Sequence, residues 1–417
     1  MNRYWIAFCA VVTLSFAVLG WVGVRVYQEA PPIPERVLTS DGVEVTNRQQ
    51  IELGQNVWQA MGGMQLGSIW GHGSYVAPDW SADWLHREAV TILDGWARAE
   101  HRHAFAELGD PERAALVARL TRTMRNNTYD SRDGSITVGP ERARAYAANA
   151  AHFSAVFRDG RTEYAIPAGT LRDRARLDAL MAFIFWTSWA ASTERPGDTV
   201  TYTSNWPHEP LVGNTVTAES IVWTGVSIIL LLAGIGGMAW WHAAQRHEPI
   251  DDELPASDPL LTSASTPSQR ATVKYFWTVT ALILTQVLLG VVVAHYGVEG
   301  DGFYGIELSS VLPYSVARTW HTQLGVLWIA TAWLAAGLYI APAVGGAEPA
   351  GQRLGVNVLF VALLVVVVGS MAGQWLSVMH KLSSEDAWFY FGHSGYEYIE
   401  LGRAFQIALL IGLFLWF

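Results

Sequence analysis

The stretch ARTWHTQLGVLWIATAWLAAGLYIAP, residues 317–342, decides the fold class. It is apolar for long enough to cross a bilayer, which takes about 20 residues at 1.5 Å each. It also carries a histidine, His321, near one end. Hydrocarbon is a poor place for an imidazole, so the residue needs a partner. Similar apolar runs recur, giving segments near 4–26, 218–241, 274–297, 317–341, 355–379 and 396–417. The expected fold is mainly α: a polytopic membrane helix bundle of about six spanning helices, the last truncated. That last run stops at IGLFLWF with no flanking polar residue. The expectation is therefore a fragment, or one piece of a split protein.

Three regions follow. Residues 1–26 read as an N-terminal membrane anchor helix. VYQEAPPIP after it has no A-x-A cleavage site, so the anchor is expected to stay uncleaved. Residues 27–217 hold most of the charge and read as a soluble, mostly helical domain, with runs such as PERAALVARLTRTMRNN and turn-rich parts such as RDGSITVGPER. Residues 218–417 read as the membrane helix bundle.

Composition agrees. The chain is 51% hydrophobic and only 15% charged, and its 20 tryptophans suit aromatic belts at two bilayer interfaces. A net charge of −10 sets nucleic acid aside as a partner. The single cysteine, Cys9, excludes an internal disulfide, a cysteine-based zinc site and covalent c-type haem attachment, which needs C-x-x-C-H. Arg3, Arg246, Arg270, Lys274 and Arg353 flank one side of the bundle, while Glu299, Asp301, Glu307, Glu385 and Asp386 flank the other. The positive-inside rule then places the N-terminus in the cytoplasm and residues 27–217 outside, in the periplasm of a bacterium.

Ionisable residues in or beside the spans are few, and the alternating topology brings them all toward the outer surface. His295 and Glu299 are four apart and share a helix face in AHYGVEG. The plainer reading is an ion pair at the water boundary; the functional one is a quinol pocket, where an imidazole beside a carboxylate can take two protons. His321 is either an interfacial histidine bonded to a carbonyl or an axial ligand to haem iron, with Gly325 one turn on as room for a flat macrocycle. Glu397, Glu400 and Arg403 in GYEYIELGRAF form either a helix start with a Glu–Arg pair or a hard-cation site suited to calcium. In the soluble region, the glycine-rich GSIWGHGSYVAPDW carries His72, Tyr75 and Asp79 and exposes backbone carbonyls.

Taken together, HTQLGVLWIATAWLAAGLYIAPAVGG, GHSGYEYIELGRAFQ, WGHGSYVAPDW and TYTSNWPHEPLVGN resemble the quinol-dependent nitric oxide reductases, members of the haem–copper oxidase superfamily. The resemblance implies a periplasmic cytochrome c-like domain without haem over 27–217. It implies a low-spin haem b with His321 as one axial ligand, and quinol at His295 and Glu299. It also implies calcium held by Glu397, the Gly73 carbonyl and Tyr75, with Glu400, Arg403 and His72 around that site. The second low-spin ligand, the second haem b and the non-haem iron ligands would lie beyond residue 417, so no catalytic residue for nitric oxide coupling is expected here, and the chain alone would be inactive. The expected partners are membrane quinol, nitric oxide, the lipid bilayer and a missing C-terminal half or separate chain. The expected location is the bacterial inner membrane. Two rivals stay open: a nitric oxide dismutase-like enzyme of the same lineage, and an inactive truncated chain or subunit that needs a separate C-terminal chain.

Overall fold

The computed structural model describes residues 3–71, 76–245, 264–300, 303–382, 385–392 and 401–416. Among the described residues five helices are long and apolar enough to cross a membrane: α1 (Arg3–Glu29), α7 (Ala218–Gln245), α8 (Pro267–Glu299), α9 (Tyr314–Gly345) and α10 (Gln352–Val378). The sixth expected span is represented by a shorter apolar helix, α12 (Arg403–Trp416), which follows the short α11 (Glu385–Phe391). Its 14 residues rise about 21 Å, less than the roughly 30 Å hydrocarbon core.

The chain divides into two compact units: Met1–Glu52, Ser81–Ala150 and Met181–Thr217 form the first; Leu53–Trp80, Ala151–Leu180 and Ala218–Phe417 form the second. The helices of the polar region are α2 (Arg48–Ala60), α3 (Trp80–His101), α4 (Asp110–Arg125), α5 (Pro140–Asp159) and α6 (Arg174–Ser192).

In the first unit, α3 buries Trp84, Leu85, Ala89, Ile92, Leu93 and Trp96, the i, i+4 stripe of an amphipathic helix. Asn149 of α5 donates to the Trp84 carbonyl at 3.0 Å, and the Trp84 ring packs on Tyr146 and Phe185. Among these apolar groups sits a buried ion pair. Arg142 Nε donates to Glu88 Oε1 at 2.6 Å and Arg142 Nη2 to Ser192 Oγ at 3.2 Å. Burial pushes the Glu88 carboxyl above the usual carboxylate range, and the Arg142 guanidinium pulls against it.

A small sheet accompanies these helices, with strand order β2 (Glu44–Asn47), β1 (Arg36–Thr39), β4 (Ser135–Val138), β3 (Tyr129–Asp130). From sequence, RDGSITVGPER reads only as turns. Its Ser135–Val138 segment instead buries Ile136 and Val138 and exposes Thr137, the period-2 signature of a strand. Four residues are too few for that pattern to stand out against the helical runs around it.

In the second unit, α8 and α9 pack along their length. α8 opens with a capping box: Thr266 Oγ1 accepts from the Gln269 backbone N–H, the Gln269 side chain accepts from the Thr266 N–H, and Pro267 follows the cap. α9 buries Ser315, Thr319, Gln323, Leu327, Thr331, Ala335, Leu338 and Pro342, one stripe at spacings of four and three. Its polar members do not strand their hydroxyls: Thr319 and Thr331 donate to carbonyls one turn back at 2.7 Å. Aromatic donors fasten one end of the bundle. Tyr296 Oη donates to the Leu312 carbonyl at 2.6 Å, Trp375 Nε1 to Val311 at 2.7 Å and Trp320 Nε1 to Met371 at 3.2 Å.

Candidate functional site

The α8–α9 crossing answers what holds His321. Its Nδ1 lies 2.9 Å from the Gln286 carbonyl oxygen on α8. A carbonyl only accepts, so Nδ1 carries the proton and the neutral ring keeps its lone pair on Nε2. The ring sits where α8 has Gly290: a Cβ there would come within 2.9 Å of His321 Cε1 and 3.2 Å of Nδ1. His321 is half-buried and lies off the fully buried stripe of α9. Gly325 does not leave room for a macrocycle as expected from sequence. Its space is taken by the Gln286 amide, whose Nε2 would lie 2.8 Å from a Cβ at position 325. Gln286 Oε1 in turn accepts from Trp328 Nε1 at 2.8 Å.

His295 and Glu299 do come together. His295 Nε2 is 2.9 Å from Glu299 Oε1, with the imidazole side chain 17% exposed and the carboxylate 36%. A tight turn closes over them. Phe303 and Ile306 exchange backbone hydrogen bonds, Tyr304 takes a positive φ of 51°, and the Tyr304 N–H donates to Glu299 Oε2 at 2.9 Å. The Tyr304 ring stacks on the imidazole at 4.4 Å, and Phe303 meets it edge-on at 4.9 Å.

The alternating topology alone places His295, Glu299 and His321 at one depth. The structure separates them. His295 lies nine residues beyond Gln286 on α8, roughly 13 Å of axial rise. His321 is thus well inside the bundle, and the His295–Glu299 pair is at its end. The reason lies in where the span begins. A start at 317 puts His321 near the helix end, whereas α9 begins at Tyr314 and overlaps α8 more deeply.

Arg403 opens α12; its Nη1 donates to Gln406 Oε1 at 2.8 Å and its guanidinium lies over Phe389. Glu397, Glu400, His72, Gly73 and Tyr75 lie outside the described residues. The edges of the HGSY turn are described: Asp79 Oδ2 accepts from Ser68 Oγ at 2.9 Å and the Gly71 N–H at 2.6 Å, and the Trp80 N–H donates to the Ser68 carbonyl at 2.8 Å. These bonds pinch the base of the loop. Among the described residues no group of three or more His, Cys, Asp and Glu side chains is placed to hold a metal ion.

Residues 34–208 match the family described as the cytochrome c-like domain of the nitric oxide reductase NorB chain. Residues 270–417 match the family of cytochrome c and quinol oxidase polypeptide I. The chain belongs to the nitric oxide reductase/haem–copper oxidase family. It is accordingly a multi-pass membrane protein of an oxidoreductase type whose members carry haem and metal cofactors. None of the curated proteins matches it.

Gln286, Gly290, Trp328 and Tyr304 are not among the residues that stand out in the sequence. Gln286 had a signal: it is a polar side chain in the middle of the apolar run ALILTQVLLGVVV, and an amide in hydrocarbon needs partners as an ionised group does. Tyr304 had none, because its role depends on the turn that folds it back over His295.

Proposed function

We propose that this chain supplies the quinol-oxidising, haem b-binding part of a quinol-dependent nitric oxide reductase. It lies in a bacterial inner membrane with residues 27–217 on the periplasmic side. The observation that carries the reading is the His295–Glu299 pair under its aromatic turn, at the end of the same helix whose carbonyl fixes His321.

Quinol oxidation to quinone releases two protons and two electrons. With Nε2–H donating to Glu299, His295 keeps Nδ1 as an acceptor for a quinol O–H. The imidazolium that forms is stabilised by the Glu299 carboxylate, which sits nearer water and can take the proton onward. Phe303 and Tyr304 line the imidazole with flat apolar surface suited to a quinol ring. The residues at the α8–α9 crossing also fit a haem. Gly290 provides the seat for the imidazole, and the Nδ1–H bond to Gln286 leaves Nε2 as the nitrogen that would hold a haem iron. Haem b, when bound, supplies a one-electron carrier. Reduction of nitric oxide to nitrous oxide, with the second haem b and non-haem iron, belongs to the complete enzyme.

In the complete enzyme, Glu299→Gln and His295→Ala should each lower quinol-driven turnover by about 100-fold, in the range of a lost general base, and leave turnover with a small artificial electron donor near wild type. Equal loss with both donors would remove the quinol assignment. The membrane placement has its own check, motivated by the basic residues flanking one side of the bundle. A reporter joined after residue 150 should be active only if exported, and one joined near residue 260 only in the cytoplasm; the reverse pattern would invert the orientation.

A further inference from the structure

Gln286 meets α9 at two levels. Its backbone carbonyl accepts His321 Nδ1–H at 2.9 Å, and its side-chain Oε1 accepts Trp328 Nε1–H at 2.8 Å. An indole N–H only donates, so the oxygen of the amide must face Trp328, and Nε2 fills the gap at Gly325. His321, Gly325 and Trp328 follow at i, i+4 and i+7, one face of α9 closing around a single residue of α8.

We infer that Gln286 is the positioning residue for His321. By gripping α9 through Trp328 and the Gly325 gap, its side chain fixes the rotation and axial register at which His321 Nδ1 meets the carbonyl, and so the direction of Nε2. The inference rests on His321 being the axial haem ligand.

Plain packing is a poorer account of these contacts. A leucine would fill similar volume without a polar partner, whereas a half-buried amide in an apolar helix costs free energy unless its hydrogen bonds are met. Here the amide oxygen is met by the indole, and a glycine stands opposite the amide nitrogen, where any Cβ would crowd it. The consequence for the ligand is electronic as well as geometric. A proton donated from Nδ1 to a carbonyl makes the imidazole a stronger donor at Nε2 and favours the oxidised iron. Loosening the bracket lengthens that bond and raises the midpoint potential.

The test uses the haem-loaded protein completed with the segment that supplies the second axial ligand, with Trp328→Phe, Gly325→Ala, Gln286→Leu and the conservative Gln286→Glu, which keeps an oxygen for the indole. The midpoint potential of the low-spin haem and its EPR g values should shift in the first three while haem content is retained. The potential should rise, and Gln286→Glu should restore most of it. Unchanged potential and g values in all three, with haem retained, would reduce Gln286 to packing. Should a variant lose haem, histidine-selective 15N NMR of the unloaded chain decides. Loss of the fixed Nδ1–H tautomer in Trp328→Phe supports the bracket, and an unchanged tautomer overturns it. His321→Ala separates the two levels: a low-spin signal that survives it refutes the haem reading itself, whatever the bracket variants do.

Discussion

Replacing His321 with alanine, in the protein completed with the segment that supplies the second axial ligand, should abolish the low-spin haem spectrum. The proposed axial role of His321 rests on three features of its surroundings. Its Nδ1 is bound to the Gln286 carbonyl, its Nε2 is left as the basic nitrogen, and Gly290 leaves the ring a seat that a side chain would fill. Iron–imidazole bonding accounts for a histidine lying well inside an apolar helix pair more fully than a carbonyl contact alone. Alanine removes that nitrogen and leaves the Gln286 carbonyl to its helix. Gly290→Val should produce the same loss by a different cause, because its branched side chain takes the space of the imidazole while His321 itself is intact. A high-spin haem held by other helices would survive both changes. If optical and EPR spectra kept the low-spin signal in His321→Ala, the residue would be a carbonyl-bonded histidine and no more.

The spans were legible in the sequence because a bilayer imposes one length and one composition on every helix that crosses it, and α1, α7, α8, α9 and α10 obey both. The His295–Glu299 contact was legible because four residues is nearly one helical turn, whatever else the chain does. What failed needed knowledge of a second helix. The depth of His321 depends on how far α9 slides along α8, and the residues that meet at that crossing, Gly290, Gln286 and Trp328, are not ionisable. The turn that lays Tyr304 over His295 is held by the Phe303–Ile306 backbone pair and by the Tyr304 N–H on Glu299, features that composition does not announce. The four-residue strand at Ser135–Val138 is too short for its alternation to compete with the helical segments on either side. Of the sixth apolar run, 396–417, residues 396–400 lie outside the described residues, and α12 begins at Arg403 within the part that is described.

The second large effect lies far from the haem ligand. Arg142→Ala should destabilise the first unit by about 3–5 kcal/mol, the cost of leaving a buried charge without its partner. Glu88 is completely buried and the Arg142 side chain is 5% exposed, with 2.6 Å between Nε and Oε1. Water cannot replace the guanidinium when it is removed, since Trp84, Ala89 and Phe185 are buried around that core. Against a typical domain stability of about 5–15 kcal/mol, the loss is a large fraction. It corresponds to a fall of roughly 6–20 °C in thermal midpoint for a unit of this size. Removing both charges tells the pair apart from its parts. Glu88→Leu combined with Arg142→Met replaces the ions with apolar groups of similar volume, and should recover most of the midpoint lost in Arg142→Ala. A midpoint for Arg142→Ala within about 2 °C of wild type, the shift expected of a pair worth under 1 kcal/mol, would mean that Glu88 is already neutral in the folded chain and needs no partner.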